Sequence, residues 1–305
     1  MGIVEGDVVI METYRYREAR NHNGDPHPQT LQQVRRKTSL LCHPKRKAFH
    51  ILPCMGFFRH RHRQELGLVF KPPPSSLKNG DPVTLLQLCK MHKLVPLSHR
   101  IHIAWVLATA VEHIHRVVWV HKSIRRNNLA FIPKQKPLEW EGERRDDQPL
   151  GVDDDPKDPV VGDFDLSNPM LFGFECSRAE GSNTYLEETH SIINNMYRHP
   201  DRWGRPTARF LNSHDVYSMG VVLFEIAVWK DVYAVAKPPD HIIAEEVTKT
   251  LVDKCRKNAS PSGRRGVRTV YTNVLGLCCA NQRDERLRCP RLLSAKCYDP
   301  TRGRQ

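Results

Sequence analysis

This 305-residue chain has no apolar run of 18 residues or more, so no helix of it is expected to cross a bilayer. The longest candidate, 216–229, is 14 residues long, contains Glu225 and reads as a buried helix. The N-terminus has no basic stretch followed by an apolar core, and Gly6 stands where a myristoylation signal takes Ser or Thr. A soluble, cytoplasmic chain with no membrane partner is expected. The nine cysteines are odd in number and scattered, without a C-x-x-C, which argues against a secreted disulfide framework or a zinc knuckle. They are expected to be reduced and mostly buried, and bridging the adjacent Cys278 and Cys279 would be sterically awkward. His60-Arg61-His62 offers two metal ligands with no third, so it reads as a solvated basic turn and no metal site is expected. Glycine is scarce at the start: Gly2 and Gly6 alone precede Gly24, and they make no G-x-G-x-x-G. Residues 30–42 contain no acid at all.

What is present suits a globular domain. A hydrophobic content of 39% over this length can bury a substantial core. The net charge of +13 is unevenly spread, because 139–165 holds eleven acids against three basic residues, leaving +21 on the remainder. With Pro149, Pro156, Pro159, Gly142 and Gly151 and no hydrophobic period, 137–165 reads as an acidic flexible insertion. The basic residues lie along the whole chain, with no aromatic-studded groove or recognised motif, which argues against a nucleic-acid partner.

The run Val8-Val9-Ile10-Met11 is strand-like, and Leu31, Val34, Leu40 and Leu41 fall mainly at helical spacing over 30–42. Strands fit 49–58 and 65–70, joined by a basic turn, and Lys71-Pro72-Pro73-Pro74 marks a hinge. Beyond it Ser98 can cap a helix whose stripe is Ile101, Ala104, Leu107, Ala108, Val111, Ile114 and Val118. A second long helix, about 213–230, is apolar nearly all round.

Five motifs then follow in one order. His121-Lys122-Ser123-Ile124-Arg125-Arg126-Asn127-Asn128 has the frame of the kinase catalytic loop H-R-D-L-x-x-x-N. Gly173-Phe174-Glu175-Cys176-Ser177-Arg178 sits where kinases have D-F-G-L-S-R. Tyr197-Arg198-His199-Pro200-Asp201 is similar to Y-x-A-P-E, and Asp215-Val216-Tyr217-Ser218-Met219-Gly220-Val221 to D-V-W-S-x-G-V. The stretch from Cys278 to Arg286 resembles C-L-x-x-D-P-x-x-R. The chain thus resembles the protein-kinase superfamily over roughly 5–290, and its wording resembles fungal protein-kinase-like domains found beside prion-type HeLo modules. The resemblance implies an α+β, two-lobed fold. A reduced small lobe is expected over 1–71, without the first strands and glycine-rich loop, with a helical large lobe over 72–136 and 166–295 and a tail at 296–305.

The charges that kinases use look depleted. Ser123 replaces the catalytic Asp, Met11 falls in the place of the strand lysine, and Gln32 or Gln33 is the nearest substitute for its helix glutamate. Gly173 replaces the metal-binding Asp, leaving Asn128 as a single neutral ligand where magnesium wants carboxylates. By resemblance the degenerate site comprises Ser123, Arg125 and Asn128, with Gly173 and Phe174 at the cofactor position. Structural roles fall to His121, Pro200, Asp201, Asp215, Gly220 and Arg286, Asp201 and Arg286 matching a buried ion pair. The expectation is a pseudokinase that binds a protein partner, through its residual cleft or the basic face around Arg59, Arg61, Arg63 and Lys71. Binding of ATP with magnesium stays open. The alternatives are an atypical Ser/Thr kinase that recruits Asp163 or Asp165 for metal and Arg125 for phosphate, or a basic nucleic-acid-binding protein. Ser182, Thr184, Tyr185 and Thr189 are candidate phosphosites.

Overall fold

Alternation along the first long strand decides which of its side chains reach the interior. In the computed structural model, which describes residues 2–4, 7–16, 25–74, 81–91, 95–133, 164–179, 192–203, 209–236 and 250, strand β2 spans Asp7–Arg15. Ile10 is buried and Glu12 and Tyr14 are half-buried, whereas Met11 is 40% exposed. Beside β2 run β1 (Gly2–Val4) and β4 (Glu65–Phe70), and β4 also pairs with β3 (Cys54–His60), giving an antiparallel sheet ordered β1-β2-β4-β3. With neighbours on both edges, β4 buries Leu66, Leu68 and Phe70 almost completely.

Helix α1 (Pro28–Cys42) packs against β3. Its start suits Pro28, whose missing N–H costs nothing in the first turn, and His27 Nδ1 accepts from the Gln29 N–H at 3.3 Å. The buried stripe is Val34, Lys37, Thr38 and Leu41, spaced three and four apart. Gln32 and Gln33 lie on the exposed side, so neither replaces the helix glutamate.

After the prolines at 72–74 come β5 (Val83–Thr84), α2 (Leu85–Met91) and α3 (Leu97–Arg116). The buried face of α3 is Ile103, Val106, Leu107, Ala110, Val111 and Ile114, rotated from the expected stripe. Ile101 is 51% and Val118 58% exposed, and Pro96 rather than Ser98 stands at the N-cap. Two small antiparallel pairings follow the helix. Strand β6 (Trp119–Val120) joins β9 (Arg178–Ala179), and β7 (Leu129–Phe131) lies between β5 and β8 (Met170–Leu171).

Phe164 bridges Pro133, and the Asp165 N–H donates to the Ile132 carbonyl at 3.1 Å, which ties both residues to the end of β7. Helix α4 (Ile192–Asn195) and a turn at Pro200–Arg202 lead to α5 (Asn212–Val228), followed by α6 (Val232–Ala236). Nearly every residue of α5 from His214 to Ile226 is buried, as a central helix requires. One hydrophobic cluster runs without a break from Ile10, Leu68 and Phe70 of the sheet to Val111, Tyr217 and Trp229. The architecture is mixed helix and strand, in keeping with the α+β class. Among the described residues, no helix is long and apolar enough to cross a membrane.

Candidate functional site

The loop between β6 and β7 is held by a carboxylate from the far side of the core. Asp215, in the first turn of α5 and fully buried, accepts the His121 N–H at 2.6 Å and the Lys122 N–H at 2.8 Å, with His115 Nε2 at 3.2 Å. This grip fixes a bend in which Lys122 takes φ 68°, a left-handed conformation that non-glycine residues adopt only under constraint. His121 is fully buried, and its ring meets that of Phe174 edge-on at 4.8 Å. Burial holds the imidazole down to about 4 despite the nearby Asp215, so it stays neutral at pH 7.

Ser123 and Asn128 turn toward each other. The Asn128 amide donates to the Ser123 carbonyl at 2.7 Å and to its Oγ at 3.0 Å. Gly173 adopts φ 88°, and a Cβ added there would lie 2.0 Å from Asn128 Nδ2 and 2.3 Å from its Cγ. The volume that an aspartate side chain would need at 173 is therefore filled by Asn128. Arg125 bridges to Asn194 Oδ1 at 3.0 Å and to Glu175 at 3.4 Å, so its charge is already engaged within the chain.

From the sheet side the site receives a carboxyl rather than an amine. Glu12 on β2 reaches over Gly173 and accepts its N–H at 2.9 Å, while its second oxygen, Oε1, is buried without a hydrogen-bond partner. Burial raises the Glu12 carboxyl to about 7, with Glu175 adding to the rise and the Gly173 N–H and Lys37 opposing it. Lys37 on α1 donates its ammonium to the Glu175 carbonyl and lies 5.4 Å from the Tyr14 ring. Burial lowers Lys37 to about 8, against the pull of Cys176, Glu12 and Glu175. Strand and helix thus carry an acid and a base, the reverse of the lysine and glutamate that the resemblance implied.

Reading Met11 into the lysine place was a slip of one residue. In a strand such a slip sends every side chain to the opposite face, and here it hid Glu12. The available signal was parity, since Glu12 shares its face with Ile10 and Tyr14. For Lys37 the signal was the helical spacing from Val34 to Leu41, although a lysine seldom occupies a buried stripe.

Around this centre lie two buried polar clusters. Arg126 pairs with Glu225 at 3.3 Å and with Asp231 at 2.5 Å, and Glu225 also accepts from the Tyr197 hydroxyl at 2.8 Å and the Val232 N–H at 2.8 Å. Asp201 meets His199 Nδ1 at 2.7 Å and His214 Nε2 at 3.1 Å. Burial pushes the Asp201 carboxyl up, yet the two imidazoles together hold it well below the usual range. Their donor atoms lie within 4.8 Å of one another, a set that sequence reading missed. Each contact is already a hydrogen bond, and His214 Nδ1 further accepts the Leu211 N–H at 2.9 Å, so the cluster is a clasp joining the Pro200–Arg202 turn to α5. Pro200 opens that turn, and Gly220 is buried within α5. Arg286, Asp163, the stretch from Cys278 and the four candidate phosphosites lie outside the described residues. Asp165 is engaged locally, accepting from the Ser167 hydroxyl at 2.5 Å. On the basic face, Arg59 and Arg61 both converge on Asp25, at 3.0 and 3.4 Å.

Among the described residues, the set around Gly173 does not fit magnesium with a nucleoside triphosphate. Gly173 brings no ligand, Asn128 offers a single neutral oxygen while its NH₂ is held by Ser123, and Glu12 places an acid where a phosphate would need a cation.

No family model matches the chain. Over 162 residues it is 24% identical to the probable dual specificity protein kinase madd-3 of Caenorhabditis elegans, covering 51% of this chain and 15% of that protein. The chain therefore spans about a seventh of the curated relative it matches, and the similarity supports a kinase-like domain.

Proposed function

We propose that this chain is a two-lobed, kinase-like pseudokinase of the fungal type that resembles HeLo-associated domains, and that it acts as an intracellular binding or regulatory module for a protein partner. The observation that carries this reading is the reversed charge pair, Glu12 on the strand and Lys37 on the helix, closed over Gly173 and Asn128. At a separation of about 4 Å two unit charges near a protein surface interact by on the order of 4 kcal/mol, so exchanging an ammonium for a carboxylate turns a comparable attraction into repulsion. Ser123 in place of a general base removes a further factor of roughly 10² to 10⁴ in rate. Meanwhile the Asp215 grip and the His121–Phe174 contact preserve the framework.

A thermal-shift titration with ATP to millimolar concentration, with and without magnesium, tests this reading. No concentration-dependent rise in Tm is expected, whereas ligand at 100 times its Kd would stabilise by about 2.7 kcal/mol. A saturable rise together with phosphate transfer that Asn128→Ala abolishes would establish an active, atypical kinase instead.

A further inference from the structure

We propose that the outer ridge of α1 and the turn between β3 and β4 form one docking strip for an acidic peptide segment of a partner protein. This deepens the binding role proposed above and rests on that half of it alone, not on the state of the nucleotide cleft. From 26 to 64 the chain holds nine Lys and Arg and not one acid. Folding engages some of these charges: Lys37 donates to the Glu175 carbonyl, Lys45 to the Leu41 and His43 carbonyls, and Arg59 and Arg61 share Asp25 at 3.0 and 3.4 Å. Arg35, Arg36, Arg46, Lys47 and Arg63 are exposed, and no ion pair among the described residues engages them. The spacing that buries Val34, Lys37, Thr38 and Leu41 puts Gln32, Arg35, Arg36 and Ser39 on the opposite side of α1. Asp25 stands three residues before the helix, so its grip on Arg59 and Arg61 sets the basic turn beside the first turn of α1.

Like charges gathered on one face work against the compact state, and an acidic ligand relieves that repulsion on binding. A peptide fits the strip better than other polyanions do. Gln32 and Gln33 are exposed, and each offers a carbonyl and an NH₂ that can pair with the N–H and C=O of an extended main chain, whereas a phosphate backbone only accepts. Asp25, set among the arginines, repels phosphates but can accept peptide N–H groups. None of the large exposed apolar side chains among the described residues lies on α1. The ridge therefore has nothing to insert into a lipid surface and no ring on which a base could stack.

The test titrates the purified full chain into a fluorescein-labelled dodecapeptide of repeating Asp-Glu-Gly and reads anisotropy. Saturable binding that weakens as salt rises is expected. Arg35→Glu with Arg36→Glu, and separately Arg61→Glu with Arg63→Glu, should each raise Kd about fivefold or more. Lys90→Glu with Lys230→Glu makes the same change in net charge at exposed positions away from α1 and should leave Kd within about twofold of the parent. No saturable binding, an equal loss from the Lys90 and Lys230 reversals, or tighter binding of a short DNA duplex or of phosphatidylserine vesicles would overturn the proposal. So would a gain in affinity on neutralising the acids of 139–158, which would give the strip to the chain's own acidic segment. The two readings fail separately: a rise in Tm with ATP would leave the strip standing, and a failed peptide titration would leave the nucleotide result unchanged.

Discussion

Glu12 shows how a single buried carboxyl can make stability depend on pH. Its folded value near 7 lies above the ordinary 4.5, so folding takes up a proton between those limits and the stability it contributes falls as pH rises through that window. Glutamine at this position can still accept the Gly173 N–H without ever ionising. Glu12→Gln is therefore expected to match the parent at pH 5 and to exceed it by about 1 to 3 kcal/mol at pH 8, read from urea denaturation at the two pH values. Glu225, which burial also raises to about 7, titrates in both proteins and cancels from the comparison. Equal stability at pH 8 would mean that the carboxyl is not desolvated as described.

At the scale of elements, the ordering of the catalytic-like loop depends on the first turn of α5. Asp215 offers two oxygens to two backbone N–H groups, and charge-assisted bonds of this kind are among the strongest in a folded protein. In Asp215→Asn one oxygen becomes an NH₂ that faces another N–H. A loss of about 2 to 4 kcal/mol is expected, together with faster hydrogen exchange at the His121 and Lys122 amides than in the rest of α3 and α5. Unchanged exchange at those two amides would detach the loop from the helix. Much of this level was legible in sequence, because hydrophobic period marks α3 and α5 and the kinase resemblance assigned Asp215 a structural role. What escaped was rotation: the α3 stripe is turned away from Ile101, and β2 is shifted by one residue, because neighbours rather than local pattern choose which apolar side chain is covered. Lys37 and the His199, Asp201 and His214 clasp also escaped, since each is made by polar groups brought together only by tertiary packing.

For the molecule as a whole, the excess of basic residues is partly answered from within. Asp25 bridges Arg59 and Arg61, Glu175 engages Arg125, and Glu225 with Asp231 encloses Arg126, so these guanidinium groups all have acidic partners within the chain. Removing one member of the buried Arg126–Glu225 pair would leave a charge stranded in the core, at a cost of about 3 to 5 kcal/mol. The apolar cluster that joins the sheet to the helices carries a different consequence. Because this cluster is continuous, strands and helices share their packing, and heat should not part them in turn. Scanning calorimetry should then record a single endotherm whose van't Hoff and calorimetric enthalpies agree, rather than two peaks from halves that melt in turn.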